Sequence, residues 1–145
     1  MKLAHVLDTS VMVAALRSRR GASRQLLLGA LTHRFELLLS VPLLLEYEAV
    51  LTRTDQLTAF GIGRRDVERV MDDITSVARP VRLSYRWRPQ LADANDDMVL
   101  ETAVNGNADA VVTFNQADFA PLSERFDCRV ILPREALHEL RGKTI

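Results

Sequence analysis

Acidic side chains recur at four places along this chain, and each is a place where a fold can turn a carboxylate inward. The densest group, Asp93, Asp96 and Asp97, opens the segment DANDDMVLETAVNGNADAVVTFNQADF. Asp96 shares a stripe with Val99, Leu100 and Ala103 (i, i+3, i+4, i+7), so the spacing predicts a helix with this carboxylate along its buried face. The apolar run from Ala110 to Thr113 reads as a buried strand, and the turn after it carries Asn115 and Asp118. Earlier in the chain, Asp8 ends the apolar run Leu3 to Leu7, and Glu46 and Glu48 sit on the two edges of a later helix. Carboxylates brought to close range cannot all stay ionised unless a cation sits among them. Oxygen-only ligands, with no cysteine or histidine pair, select Mg²⁺ or Mn²⁺ over zinc. Such an ion lowers the pKa of a bound water and neutralises charge on a phosphate. The chemistry predicted from the residues is therefore metal-dependent phosphodiester hydrolysis.

The elements that must position these acids follow from periodicity and turn residues. Leu3 to Leu7 is nearly continuously apolar, as a central parallel strand covered on both faces requires. Asp8 then has two readings of equal standing: an N-cap, with Ser10, of the helix to about Leu16, or a carboxylate at a strand's carboxyl end, where open α/β sheets place their sites. Gly21 breaks the first helix within a basic loop (Arg17, Arg19, Arg20, Arg24), and Ser23 is expected to cap a second helix to about Leu31. That loop suits a solvated turn and a phosphate-contacting loop equally. Phe35 to Ser40 reads as the second strand, and Pro42 suits the first turn of a helix to about Arg53. Leu43, Leu44, Tyr47, Val50 and Leu51 form its apolar arc, and helical geometry leaves Glu46 and Glu48 equivalent. A short piece, Asp55 to Phe60, precedes an amphipathic helix over Asp66 to Val77. A brief third strand is expected at Val81 to Leu83. The loop Tyr85 to Pro89 could stack on bases, but a lone Trp87 more often anchors a loop. A short helix (Pro121 to Phe126), a last strand (Arg129 to Leu132) and a helix from Pro133 complete the chain. The pattern predicts an α/β protein with three α/β/α layers around a mostly parallel sheet of about five short strands, strand carboxyl ends along one edge.

Composition narrows the function classes. At 145 residues and 48% apolar, with no repeat or linker, the chain reads as one domain, 1–145, with a C-terminal helix and tail at about 134–145. Zero formal net charge argues against a strongly basic nucleic-acid binder. Of 19 basic residues only Lys2 and Lys143 are lysines, a bias that high-GC coding also produces. Cys128 is alone, so no disulfide framework exists and a cytoplasmic setting is expected. No run approaches a membrane span, and Met1 to Leu7 is too short for a signal peptide. His5, His33 and His138 have no spacing that suggests a shared metal, and His5 is expected to be a satisfied strand residue.

Four segments in order resemble one family. They are Leu7-Asp8-Thr9-Ser10-Val11, Pro42 to Glu48 (PLLLEYE), the acidic helix start from Asp93 to Ala103, and Val112 to Phe119 (VTFNQADF). Together they resemble the PIN domain, and most of all the VapC-like ribonuclease toxins of bacterial toxin–antitoxin systems, over Leu3 to about Leu137. The resemblance implies a PIN fold, Mg²⁺ or Mn²⁺ in an acidic pocket, and cleavage of single-stranded RNA. It matches Asp8 to the first acid, Ser10 to its supporting hydroxyl, Glu46 rather than Glu48 to the second acid, Asp96 rather than Asp97 to the third, and Thr113 to the hydroxyl closing the fourth strand. Asp93 and Asp97 then support the site. The family's fourth acid stands where this chain has Asn115, with Asp118 able to supply the missing charge. The resemblance also implies a homodimer and a small cognate antitoxin that blocks the site.

Two regulatory or phosphatase alternatives fail on single residues. A receiver-like phosphorylation module needs a lysine at a late strand end, and the two lysines here stand near the termini. A haloacid-dehalogenase-type phosphatase needs a second Asp two residues after Asp8, where Ser10 stands. The remaining alternative is a catalytically degenerate PIN domain serving as an RNA- or protein-binding module, supported by Asn115. Phosphate-binding glycine loops are absent.

Overall fold

Strand β1, Ala4–Leu7, is buried at all four residues, and the rest of the sheet is laid out on both sides of it. In the computed structural model of the protein, residues 2–84 and 94–142 are described. Five strands pair in the order β3-β2-β1-β4-β5, with β2 at Glu36–Leu39, β3 at Arg79–Pro80, β4 at Ala110–Val112 and β5 at Arg129–Ile131. Every pair is parallel, with His5 opposite Leu37 on one side and Leu7 opposite Val112 on the other. Continuous apolar runs such as AHVL and AVV suit strands covered on both faces.

Among the described residues the helices are α1 (Thr9–Arg17), α2 (Ala22–Leu31), α3 (Val41–Leu51), α4 (Thr54–Phe60), α5 (Arg64–Val77), α6 (Ala94–Asn105), α7 (Ala120–Arg125) and α8 (Pro133–Gly142). They give the three α/β/α layers that the pattern predicts. Helix α5 buries Val67, Met71 and Ile74, and the Gly63 N–H donates to the Asp66 carboxylate at 3.0 Å to fix its start. Helix α6 packs on β1, β2 and β4 and against α3. At its end Gly106 passes so close that a Cβ there would stand 2.9 Å from both the Thr102 carbonyl oxygen and Val81 Cγ2. The core is filled by Tyr47, Phe35, Phe119, Met12 and a set of leucines.

Three local expectations need correction. The third strand is Arg79–Pro80, not Val81 to Leu83; it is an exposed edge, the one sheet position where proline costs no ladder bond. The Val81 N–H still donates to the Leu39 carbonyl at 2.8 Å, so the chain runs beside β2 slightly further. Ser23 does not cap α2. Gly21 holds the cap position, and the Ser23 hydroxyl is buried with no hydrogen-bond partner among the described residues. His5 is buried but not satisfied: among the described residues neither ring nitrogen has a partner in hydrogen-bond geometry. Asp93 and the loop Tyr85 to Pro89 lie outside the described residues.

Candidate active site

Asp8 follows β1 directly, at the point where the sheet order reverses. The chain moves from β1 outward through β2 and β3, then returns to place β4 on the other side of β1. Open α/β sheets bind ligands at the carboxyl ends flanking such a switch point. Asp8 is 5% exposed, and its N–H continues the β1–β4 ladder to the Val112 carbonyl at 2.9 Å. The next residue of β4's chain, Thr113, is fully buried and donates its hydroxyl to Asp8 Oδ2 at 2.8 Å. Ser10, in the first turn of α1, donates to the same oxygen at 2.7 Å.

Both readings of Asp8 were open from its sequence. Asp8 occupies the N-cap position of α1 in an extended conformation, yet its side chain makes no capping bond. Two hydroxyls hold Oδ2 instead. A carboxylate so buried needs partners, and those it has are side-chain hydroxyls rather than the N–H groups of the helix start. The Thr113 hydroxyl is itself positioned, because its oxygen accepts from the Asn115 N–H at 2.9 Å.

The other acids arrive on α3 and α6. Glu46 and Glu48 are both half-buried, so exposure does not separate them. Helix α3 starts at Ser40, just past β2, where the Ser40 hydroxyl accepts from the Leu43 N–H and donates to Thr102 Oγ1 of α6 at 2.7 Å; Thr102 in turn donates to the Met98 carbonyl. Beside Glu46, the fully buried Tyr47 donates its hydroxyl to the Leu7 carbonyl, one residue before Asp8. Burial, and secondarily the negative charge of Asp8, push this phenol well above its ordinary pKa, so it remains a donor at any working pH. On α6, Asp96 is half-buried while Asp97 is 2% exposed and Glu101, one turn on, is fully buried. Of the two acids in the first turn, Asp97 is thus the more buried. Asn115 and Asp118, in the 3-10 turn after β4, are exposed.

Asp8, Ser10 and Thr113 are therefore brought into direct contact, and α3 and α6 are fastened beside them. Among the described residues no three His, Cys, Asp or Glu side chains stand placed to hold one ion. Sequence reading passed over Glu101, Tyr47 and the Ser40–Thr102 pair. A glutamate inside the apolar run Val99 to Ala103 was the available signal for the first.

The PIN domain family model matches residues 4–117, well over half of the chain. Among solved structures, VapBC2 from Rickettsia felis, bound to a DNA fragment from its promoter, is similar with a TM-score of 0.58 at 13% identity, covering 88% of this chain and 97% of that one. VapBC-1 from nontypeable Haemophilus influenzae is similar with a TM-score of 0.57 at 15% identity, covering 91% and 99%. Comparison with curated proteins gives no match.

Proposed function

The chain belongs to the PIN domain family, and from that premise we propose that it is a metal-dependent endoribonuclease acting on single-stranded RNA, the toxin of a toxin–antitoxin pair. The observation that carries this reading is Asp8: a buried carboxylate at the sheet's switch point, one oxygen fixed by two hydroxyls. The VapBC neighbours support a small antitoxin as partner, and the family resemblance supports a homodimer.

The donors suit Mg²⁺ or Mn²⁺, all of them oxygens. Mg²⁺ keeps several waters and needs only one or two direct carboxylates. When bound, the ion supplies an activated water and neutralises charge on the scissile phosphate. Asp8 would hold it through Oδ1, with Glu46 and the acids of α6 completing the pocket directly or through water. On α6, Asp96 is the acid that the family resemblance matches to the site, with Asp97 supporting it; Asp96 is half-buried and Asp97 buried. Ser10 and Thr113 hold Asp8 in one orientation, which removes the reorganisation that a swinging carboxylate would need. Asn115 and Asp118, exposed past β4, would add to the metal pocket, Asn115 through a metal-bound water and Asp118 by supplying the charge of the missing acid.

The test is incubation of the purified, antitoxin-free protein with a long single-stranded RNA in Mn²⁺ or Mg²⁺, beside Asp8→Ala, Asp96→Asn and Asp97→Asn. Cleavage should need the metal and vanish in Asp8→Ala, with Asp96→Asn losing more than Asp97→Asn at equal thermal stability. The reverse order would give the inner role to Asp97. Persistent cleavage in Asp8→Ala would sink the site. A folded wild type that binds Mn²⁺ yet cleaves none of several RNAs would favour the degenerate binding module.

A further inference from the structure

Phe114 is a large apolar side chain held half in water: it is 50% exposed, although it sits between Thr113, which holds Asp8, and Asn115, which bonds back to Thr113. It forms one wall of a groove of about 380 Å³, within the roughly 300–1,000 Å³ range of ligand sites. Opposite it lie Ser18, Gly21 and Ser23 at the start of α2, and Pro133 and Arg134 at the start of α8. The walls are thus mainly apolar, but three features in or next to the groove are not. The N-cap position of α2 is a glycine, so no side chain caps that end, and N–H groups at a helix start are left to attract an anion. The Ser23 hydroxyl, in a residue only 4% exposed, has no hydrogen-bond partner among the described residues. Arg19 and Arg20, in the turn between Ser18 and Gly21, and Arg134 are exposed.

An aromatic face, an uncapped helix start and arginines, all beside the residue that holds the catalytic carboxylate, match the parts of a nucleotide. Bases stack on aromatic rings at a gain that is tolerant of sequence, and arginines track the backbone phosphates. We propose that this groove is a nucleotide subsite of the RNA path, in which Phe114 stacks on an unpaired base flanking the scissile phosphate while the α2 start and its arginines receive the adjoining phosphate. The inference deepens the nuclease reading and rests on it for the position of the scissile bond. The charge around the groove favours an RNA strand over a protein segment, for which the apolar walls alone would serve.

The experiment uses the full chain and short single-stranded RNA oligonucleotides carrying 2-aminopurine, whose fluorescence is quenched on stacking. Binding is measured in Ca²⁺, with the RNA checked for integrity afterwards, and cleavage kinetics are measured separately in Mn²⁺. Phe114→Ala should weaken RNA binding roughly 5- to 150-fold, the range for losing one base–aromatic stack, and abolish the quenching. It should raise KM more than it lowers kcat. Phe114→Trp should restore binding and quenching, whereas Phe114→Leu, apolar but without a ring, should not. Because the ring is half exposed, each variant should fold, which its thermal melt checks. Unchanged binding and quenching in Phe114→Ala would overturn the subsite while leaving metal-dependent cleavage, and so the nuclease, intact. A change in self-association without a change in RNA binding would overturn it in favour of a protein partner. If the wild type binds and quenches through Phe114 but never cleaves, the subsite stands and the nuclease reading falls.

Discussion

Thr113 acts through both sides of its hydroxyl, donating to Asp8 Oδ2 and accepting from the Asn115 N–H. The residue is fully buried, so neither bond can be replaced by water without moving the strand end. Thr113→Val keeps the shape and removes the oxygen. The Asp8 carboxylate then loses one of its two hydroxyl donors and the Asn115 N–H loses its acceptor. Stability should fall by about 1–3 kcal/mol, the range for a buried polar group left unsatisfied. Activity or metal affinity should fall about 10- to 100-fold, as it does when partners that orient a ligand are removed. Parallel melts and Mn²⁺ titrations check this, and a Val variant with wild-type metal affinity would show that Ser10 alone orients Asp8. Thr113→Ser, which keeps the hydroxyl, should recover most of the affinity.

At the scale of the elements, the site depends on α3 being fastened at two points. Ser40 ties its start to Thr102 of α6, and Tyr47 ties its middle to the Leu7 carbonyl at the end of β1. Tyr47→Phe keeps the ring in the core and removes only the second tie. It should cost about 1 kcal/mol of stability and reduce nuclease activity several-fold, because Glu46 is carried by the same helix turn. A Mn²⁺ titration separates this from simple destabilisation: weaker metal binding at a temperature well below the melt supports positioning, and unchanged binding would make Tyr47 a core residue only. These ties span 62 and 40 residues of sequence, so no local pattern could reveal them. The order of elements was legible because apolar runs, Gly21, Pro42 and Pro133 mark them locally. The extent of burial on α6 was not, because that helix is buried at every residue from Val99 to Ala103. A stripe argument assumes one wet face, and here burial also takes in Asp97 and Glu101. Choosing Glu46 over Glu48 needed the family resemblance, since both are half-buried. The third strand was placed at Val81 to Leu83 rather than at Arg79–Pro80, where an exposed edge tolerates the proline.

Across the whole molecule, a sheet covered on both faces gives a continuous core, and it also traps one titratable ring in its central strand. His5 is fully buried on β1, tilted against Phe35 with ring centroids 5.5 Å apart. Burial lowers its pKa from 6.5 to about 4; Asp109, Glu139 and the nearby Ala4 backbone favour the charged form only enough to offset this in part, and Arg129 opposes them. At pH 7 the ring is neutral in both folded and unfolded chains and has no effect on the balance. Between about 6.5 and about 4 the unfolded chain takes up a proton that the folded chain refuses, so stability must fall as the pH falls. The full loss is on the order of 3 kcal/mol, reached near the folded pKa. The window from pH 7 to 5 covers the ordinary histidine range, in which the unfolded chain takes up this proton. Urea unfolding of the metal-free protein at pH 7, 6 and 5 should show this decline, with His5→Leu flattening it while leaving the neutral ring's packing volume largely filled. Equal stability of the wild type at pH 7 and 5 would mean that the buried ring finds a compensating partner when protonated. A decline that survives in His5→Leu would place the responsible proton elsewhere in the fold.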